Sequence, residues 1–208
     1  MRDPEQVGQL TFDALLVDAA AANQVRGHDR RFGHLPGTME AAVPYFRDLI
    51  ARHHRAMLDG DGAVVERLRG EAHDLARKLN GYEAGILAGE DAPGCMLARQ
   101  TRAEAGTVPL WGQAGSFELR HKTMRVRIEM EGLFGIGALH ISWLSFSAHA
   151  IEKGRPFLSD TGYRSFQGTG GPLVAGYTPD TFAAGIVGGY VERELKGRLF
   201  RIRSSHDR

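Results

Sequence analysis

The chain has a single cysteine, Cys95, among its 208 residues. That excludes an internal disulfide framework and any zinc site built on paired thiolates, and it makes a reducing, cytoplasmic setting the expectation. No basic region followed by an apolar core opens the sequence: MRDPEQVGQLTFDALL carries acids where a secretory leader carries lysine or arginine, so an export signal is not expected. Charge of one sign is also missing as a dominant feature, since 26 basic and 25 acidic residues leave a formal net charge of +1. The balance is uneven along the chain, with the acidic excess in the first half and the basic excess near Arg193, Lys196, Arg198, Arg201, Arg203 and Arg208. That tail would give at most weak, sequence-independent contact with nucleic acid, or would serve as a charged strand edge. The one stretch without charged side chains long enough to raise a membrane span, residues 132–151, is broken by His140, His149, serines and glycines, and reads as buried strand and loop.

Nucleotide-binding fingerprints are absent. Gly132-Leu133-Phe134-Gly135-Ile136-Gly137 and Gly168-Thr169-Gly170-Gly171 fit neither the phosphate-loop pattern, which ends in Gly-Lys-Ser/Thr, nor the dinucleotide pattern GxGxxG. No HExxH occurs. His53 and His54 are neighbours on a helical stretch and diverge by about 100 degrees, so they do not chelate one metal as an i, i+4 pair would.

What is present is two different hydrophobic periods. Tyr45, Phe46, Leu49, Ile50 and Met57 recur at helical spacing after Thr38, a good cap. Val64, Val65, Leu68, Ala72, Leu75, Ala76 and Leu79 do so again after Asp59-Gly60-Asp61-Gly62, with Asn80-Gly81 as the stop. The two predict a helical hairpin. Leu10 to Gln24 reads as a third helix, followed by a charged loop from Gly27 to His34. Glycine and proline then mark residues 82–115 as a linker or ordered loop. From Phe117 the period becomes two: Phe117, Leu119, Met124, Val126, Ile128 and Met130 alternate with Glu118, Arg120, Arg125, Arg127, Glu129 and Glu131, predicting a β-hairpin that turns at His121-Lys122-Thr123 and carries cross-strand charge pairs. Thr178-Pro179-Asp180 starts a last helix that stops by Gly197, and a strand from Arg198 to Arg203 closes the sheet. The expected fold class is α+β, helices packed on a small, mainly antiparallel sheet. The expected organisation is a helical region over residues 1–90, a linker or ordered loop over residues 91–115 and a sheet-containing region over residues 116–208, compatible with one continuous domain.

The densest polar cluster is SAHAIEKGRPFLSDTGYRSFQ, residues 147–167. Loops of this chemistry often hold sites. Arg155, Tyr163, Arg164, His149 and Ser159 are the candidate binding residues, with Arg155, Asp160, Tyr163 and Arg164 expected to converge on one patch. Glu152 and Asp160 are the candidate catalytic pair, since two acids beside arginines would hold a divalent metal against a phosphate. Without a metal motif no resident cofactor is expected, and a divalent ion enters only under that nuclease or nucleotide-hydrolase reading.

GTMEAAVPYFRDLIARHH, TVPLWGQAGSFEL with MRVRIEMEGLFGIGA, and RPFLSDTGYRSF with TPDTFAAGIVGGYVERELKGRL together resemble a family of accessory proteins of plasmids and integrative conjugative elements, over about residues 35–203. RPFLSDTGYRSF and the ELKGRL ending are similar to Osa-type fertility-inhibition proteins. The resemblance implies a ParB/sulfiredoxin-like C-terminal half and a role in modulating DNA transfer or a competing element, with a protein of a transfer or defence system as partner. It brings no catalytic motif to these positions.

Overall fold

The computed structural model describes residues 16–202 except positions 18, 21, 24, 86–88, 136–143, 153 and 170–174. Most of the third helix expected over Leu10–Gln24, the glycines Gly137, Gly170 and Gly171, and Arg203 and Arg208 of the basic tail therefore lie outside the described residues.

Helix α1, Met39–Asp59, begins where the Thr38 hydroxyl accepts from the Ala41 amide and ends at Gly60, whose φ of 72° makes a left-handed stop. Helix α2, Gly62–Leu79, is capped in turn by Asp61, which accepts from the Val64 amide. The two pair as the helical hairpin that the apolar stripes predict. Phe46, Leu49, Ile50, Leu68, Ala72 and Leu75 form a core between them, joined by Leu97 of a short helix α3, Pro93–Gln100. Residues 27–32 are helical rather than a loop. Phe32 and Leu35 are buried in the same core, and Lys78 donates to both of their carbonyls, which fixes that segment on α2. Helix α3 occupies a stretch of the expected linker. Ala92-Pro93-Gly94 reads as a breaker, yet proline at the first helical position is a start.

A four-stranded antiparallel sheet follows, in the order β1-β2-β3-β5, built from β1 Ala114–His121, β2 Met124–Glu131, β3 Leu144–Ala150 and β5 Tyr163–Thr169. The β1–β2 turn places Lys122 at φ 53°. Helix α4, Pro179–Arg193, opens with the Thr178/Thr181 capping box and lays Phe182, Ala183, Val187 and Val191 on the sheet. They meet Phe117, Met124, Val126, Ile128, Phe146, Ala148 and Phe166, one face of the period-two pattern. The architecture is α+β. The last strand departs from expectation: β6, Phe200–Arg201, does not close the main sheet but pairs antiparallel with β4, Pro156–Phe157. Among the described residues no helix is long and apolar enough to cross a membrane.

Candidate functional site

All apolar alternates of the sheet point toward the helices, so the polar alternates are left on the opposite face. The register aligns them in rows across all four strands. Glu118, Arg127, His149 and Tyr163 make one row, and Ser116, Glu129, Ser147 and Ser165 the next. Tyr163 is 49% exposed at the edge of the first row. The His149 ring meets it edge-on with centroids 5.1 Å apart, shares a 2.9 Å hydrogen bond with the Ser147 hydroxyl and lies 3.5 Å from a Glu129 carboxylate oxygen. Ser159 donates to the Tyr163 carbonyl at 2.7 Å, and Thr161 adds a second bond to it, so the turn before β5 fixes where Tyr163 emerges.

At the hairpin end of the same face is a charge network. Arg125 donates through Nε and Nη2 to both oxygens of Glu118 and through Nη1 to Glu152, which Arg155 holds from the other side. The guanidinium fork holds the Glu118 carboxyl down to about 2, and the carboxylate raises Arg125 in return. Glu152 is thus committed to two arginines. Asp160 sits half-buried in the turn. Arg164 leaves on the helix side of β5, its guanidinium 4.6 Å from the centre of the Tyr190 ring. Arg155, Asp160, Tyr163 and Arg164 therefore do not share one patch, because adjacent residues of a strand point to opposite faces. The structure brings together His149, Tyr163 and Ser159, and separately Glu152 and Arg155. Among the described residues no group of three His, Cys, Asp or Glu is placed to hold a metal ion.

A second polar centre lies inside the molecule, around His53 and His54, for which the sequence alone offers a hydrogen-bonding role between helices or, without any ligand motif, a metal site with His73. His53 of α1 is 1% exposed and His54 half-buried; together they grip the chain just before β1. His53 Nδ1 lies 3.0 Å from the Trp111 carbonyl, a bond the ring can only donate, and His54 Nδ1 accepts from the Trp111 amide at 3.1 Å. Trp111 in turn donates its indole N–H to the Tyr177 carbonyl at 2.7 Å and packs edge-on against Phe182. With Nδ1 donating, His53 Nε2 is free to accept from Arg69 Nε at 3.4 Å. Burial pushes His53 down to about 4 against the weaker upward pull of the Trp111 carbonyl, so the ring is neutral at pH 7. His54 and His73 are also lowered by burial, as is Arg69. Gly112, at φ 87°, lets the chain pass so close that a Cβ there would lie 2.8 Å from His53 Nδ1. One sign of this centre is in the sequence: Arg69 is four residues after Val65 and three before Ala72, a cation on the apolar stripe of its helix.

No family model matches the chain, and no solved structure matches it. Two curated proteins of Escherichia coli, both named Protein KlcB, are similar to it. One is 37% identical over 153 residues, which is 73% of this chain and 35% of that protein, and the other is 34% identical over 156 residues, 74% and 32%. The chain thus spans about a third of the length of the curated relatives it matches, and within that third it is similar to the two KlcB proteins.

Proposed function

We propose that the chain is an accessory protein of a plasmid or related conjugative element, and that it modulates DNA transfer or a competing element by docking a protein partner on the open sheet face. The similarity to the KlcB proteins and the resemblance to plasmid and integrative-element accessory families support the setting. The observation that carries the mode of action is the row Glu118, Arg127, His149, Tyr163, a strip that no other described element covers, with His149 half-buried, an exposed aromatic at one end and both signs of charge along it. An amphipathic aromatic amid hydrogen-bonding groups suits a protein surface. A face that carries Glu118 and, in the next row, Glu129 beside Arg125 and Arg127 is poorly suited to a phosphate backbone. The commitment of Glu152 to Arg125 and Arg155 favours binding over metal-assisted hydrolysis at the loop. Fertility inhibition, implied by the likeness to Osa-type proteins, is the specific activity proposed.

The test is the transfer frequency of a co-resident conjugative plasmid from donors that express the chain. Expression lowers it, Tyr163→Ala and His149→Ala restore it, and Arg201→Ala leaves the inhibition intact. Inhibition that survives both sheet-face changes overturns the reading, as does tight DNA binding with a steep salt dependence of about −0.9 per phosphate contact.

A further inference from the structure

Arg127 stands in the middle of the open row, directly opposite Glu118 on one side and His149 on the other. It is exposed, and among the described residues its guanidinium makes no ion pair and no hydrogen bond. The acids around it are committed elsewhere. Arg125 holds both oxygens of Glu118 with bonds of 2.7 and 2.8 Å, Arg125 and Arg155 share Glu152, and Arg102 lies 3.2 Å from Glu129. Arg120 is also drawn to Glu118. Among the described residues of this face, Arg127 is therefore the arginine left without an acid. At the end of the same row the Tyr163 ring meets His149, and its hydroxyl makes no hydrogen bond among the described residues. Neighbouring strands lie about 4.8 Å apart, so Arg127 and Tyr163, with β3 between them, stand roughly 10 Å apart.

We propose that the partner docked on this face is a protein surface that presents an aspartate or glutamate to Arg127 and an apolar side chain to Tyr163, about 10 Å away. This rests on the docking reading above and names what the row selects. An exposed guanidinium is well served by water. A partner laid over the row strips that water away, and a cation then left unpaired is strongly unfavourable. Glu118 does not supply the missing charge without giving up its two-pronged bond to Arg125, so the partner supplies it. A carboxylate fits the planar fork of Arg127, and a basic partner is rejected because it meets that cation and finds the nearby acids occupied. A helix laid across the strands spans 10 Å in about seven residues, which puts the acid and the apolar side chain on one of its faces. Nucleic acid is disfavoured, since its affinity draws on several cations free to take phosphates and these rows offer one.

The experiment selects from a phage-displayed library of random short peptides on the full chain, after depletion on Tyr163→Ala so that the peptides retained are those that need the open row. They carry an aspartate or glutamate together with an apolar or aromatic residue. Arg127→Gln weakens a selected peptide at least about tenfold, the scale of one charge-assisted hydrogen bond, and Arg127→Glu prefers the same peptide with lysine in place of its acid. Arg127 has no partner to lose, so both variants melt with the parent and lost binding is not lost folding. In donors that express the chain, Arg127→Gln restores plasmid transfer as Tyr163→Ala does. Transfer restored by Tyr163→Ala but not by Arg127→Gln leaves the docking reading standing and overturns the acidic partner. Transfer that expression never lowers overturns fertility inhibition instead, and the peptides then decide the acidic partner on their own. The proposal is also overturned by selected peptides that lack an acid, by affinity that Arg127→Gln leaves unchanged, or by absence of any peptide that needs Tyr163. Displacement of the peptide by a single-stranded DNA oligonucleotide at physiological salt overturns it in favour of nucleic acid, and self-association of the chain that Arg127→Glu abolishes overturns it in favour of a second copy.

Discussion

Replacing His53 by glutamine removes a ring that must be neutral to fold while keeping a side chain able to donate to the Trp111 carbonyl. In the folded chain this histidine titrates at about 4, against the ordinary 6.5 it regains on unfolding. Between those values the unfolded state holds the extra proton, so stability rises with pH across the window and is lost as pH falls from 6.5 toward 4. At about 1.4 kcal/mol per pH unit the full interval corresponds to about 3 kcal/mol, a large share of the roughly 5–15 kcal/mol that holds a domain folded. The ring is 1% exposed, so solvent screens little of this. His54 and His73, also lowered by burial, add slope of the same sign but remain in the variant, and the difference between the two proteins isolates His53. Glu118, held down to about 2, acts at lower pH: its stabilisation is present above the ordinary 4.5 and is lost as pH falls toward 2. Urea unfolding at pH steps from 7 to 4 is the assay. The parent should lose about 3 kcal/mol more than His53→Gln over that range, whatever their stabilities at pH 7. Parallel pH profiles would refute the assignment of a neutral, Nδ1-donating ring.

Gly112→Ala should cost about 1–3 kcal/mol, since it forces a side chain into the left-handed region and against His53 Nδ1, and the loss should appear as a lower urea midpoint with an unchanged slope. Trp111→Phe keeps the ring packing but leaves the Tyr177 carbonyl without its donor, a loss of about 1–3 kcal/mol in the same assay. Leu68→Ala, at a fully buried position between α1 and α2, should cost about 2–5 kcal/mol; a loss below about 1 kcal/mol would mean that the two helices close over the cavity.

The helical hairpin and the β1–β2 hairpin are legible in the sequence because each is an unbroken local period: Val65, Leu68, Ala72 and Leu75 in one, Met124, Val126, Ile128 and Met130 in the other. The cross-strand charge pairing is legible for the same reason, and Glu118 with Arg125 realises it one step diagonal to the direct register. Helix α3 is hidden because proline and glycine signal both a loop and a helix entrance, and only the burial of Leu97 decides between them. The partner of β6 is not legible at all. A two-residue strand carries no period, and pairing Phe200 with Phe157 is a choice made by tertiary packing. The polar loop 147–167 is visibly dense in chemistry, but composition does not say on which side of a strand a residue falls, so Tyr163 and Arg164 read as one patch although one faces solvent and the other Tyr190. Arg69 escapes notice because arginine on a helix is ordinarily counted with the solvated side.

The pairing of β4 with β6 gives the molecule an order of assembly. A ribosome makes Pro156 and Phe157 well before Phe200 and Arg201, so β4 leaves the exit tunnel without a partner while β1, β2, β3 and β5 can already join. A nascent chain stopped before Phe200 would hold the four-stranded sheet while Pro156 and Phe157 lack their strand partner, so the small sheet comes into being only as the last of these strands is made.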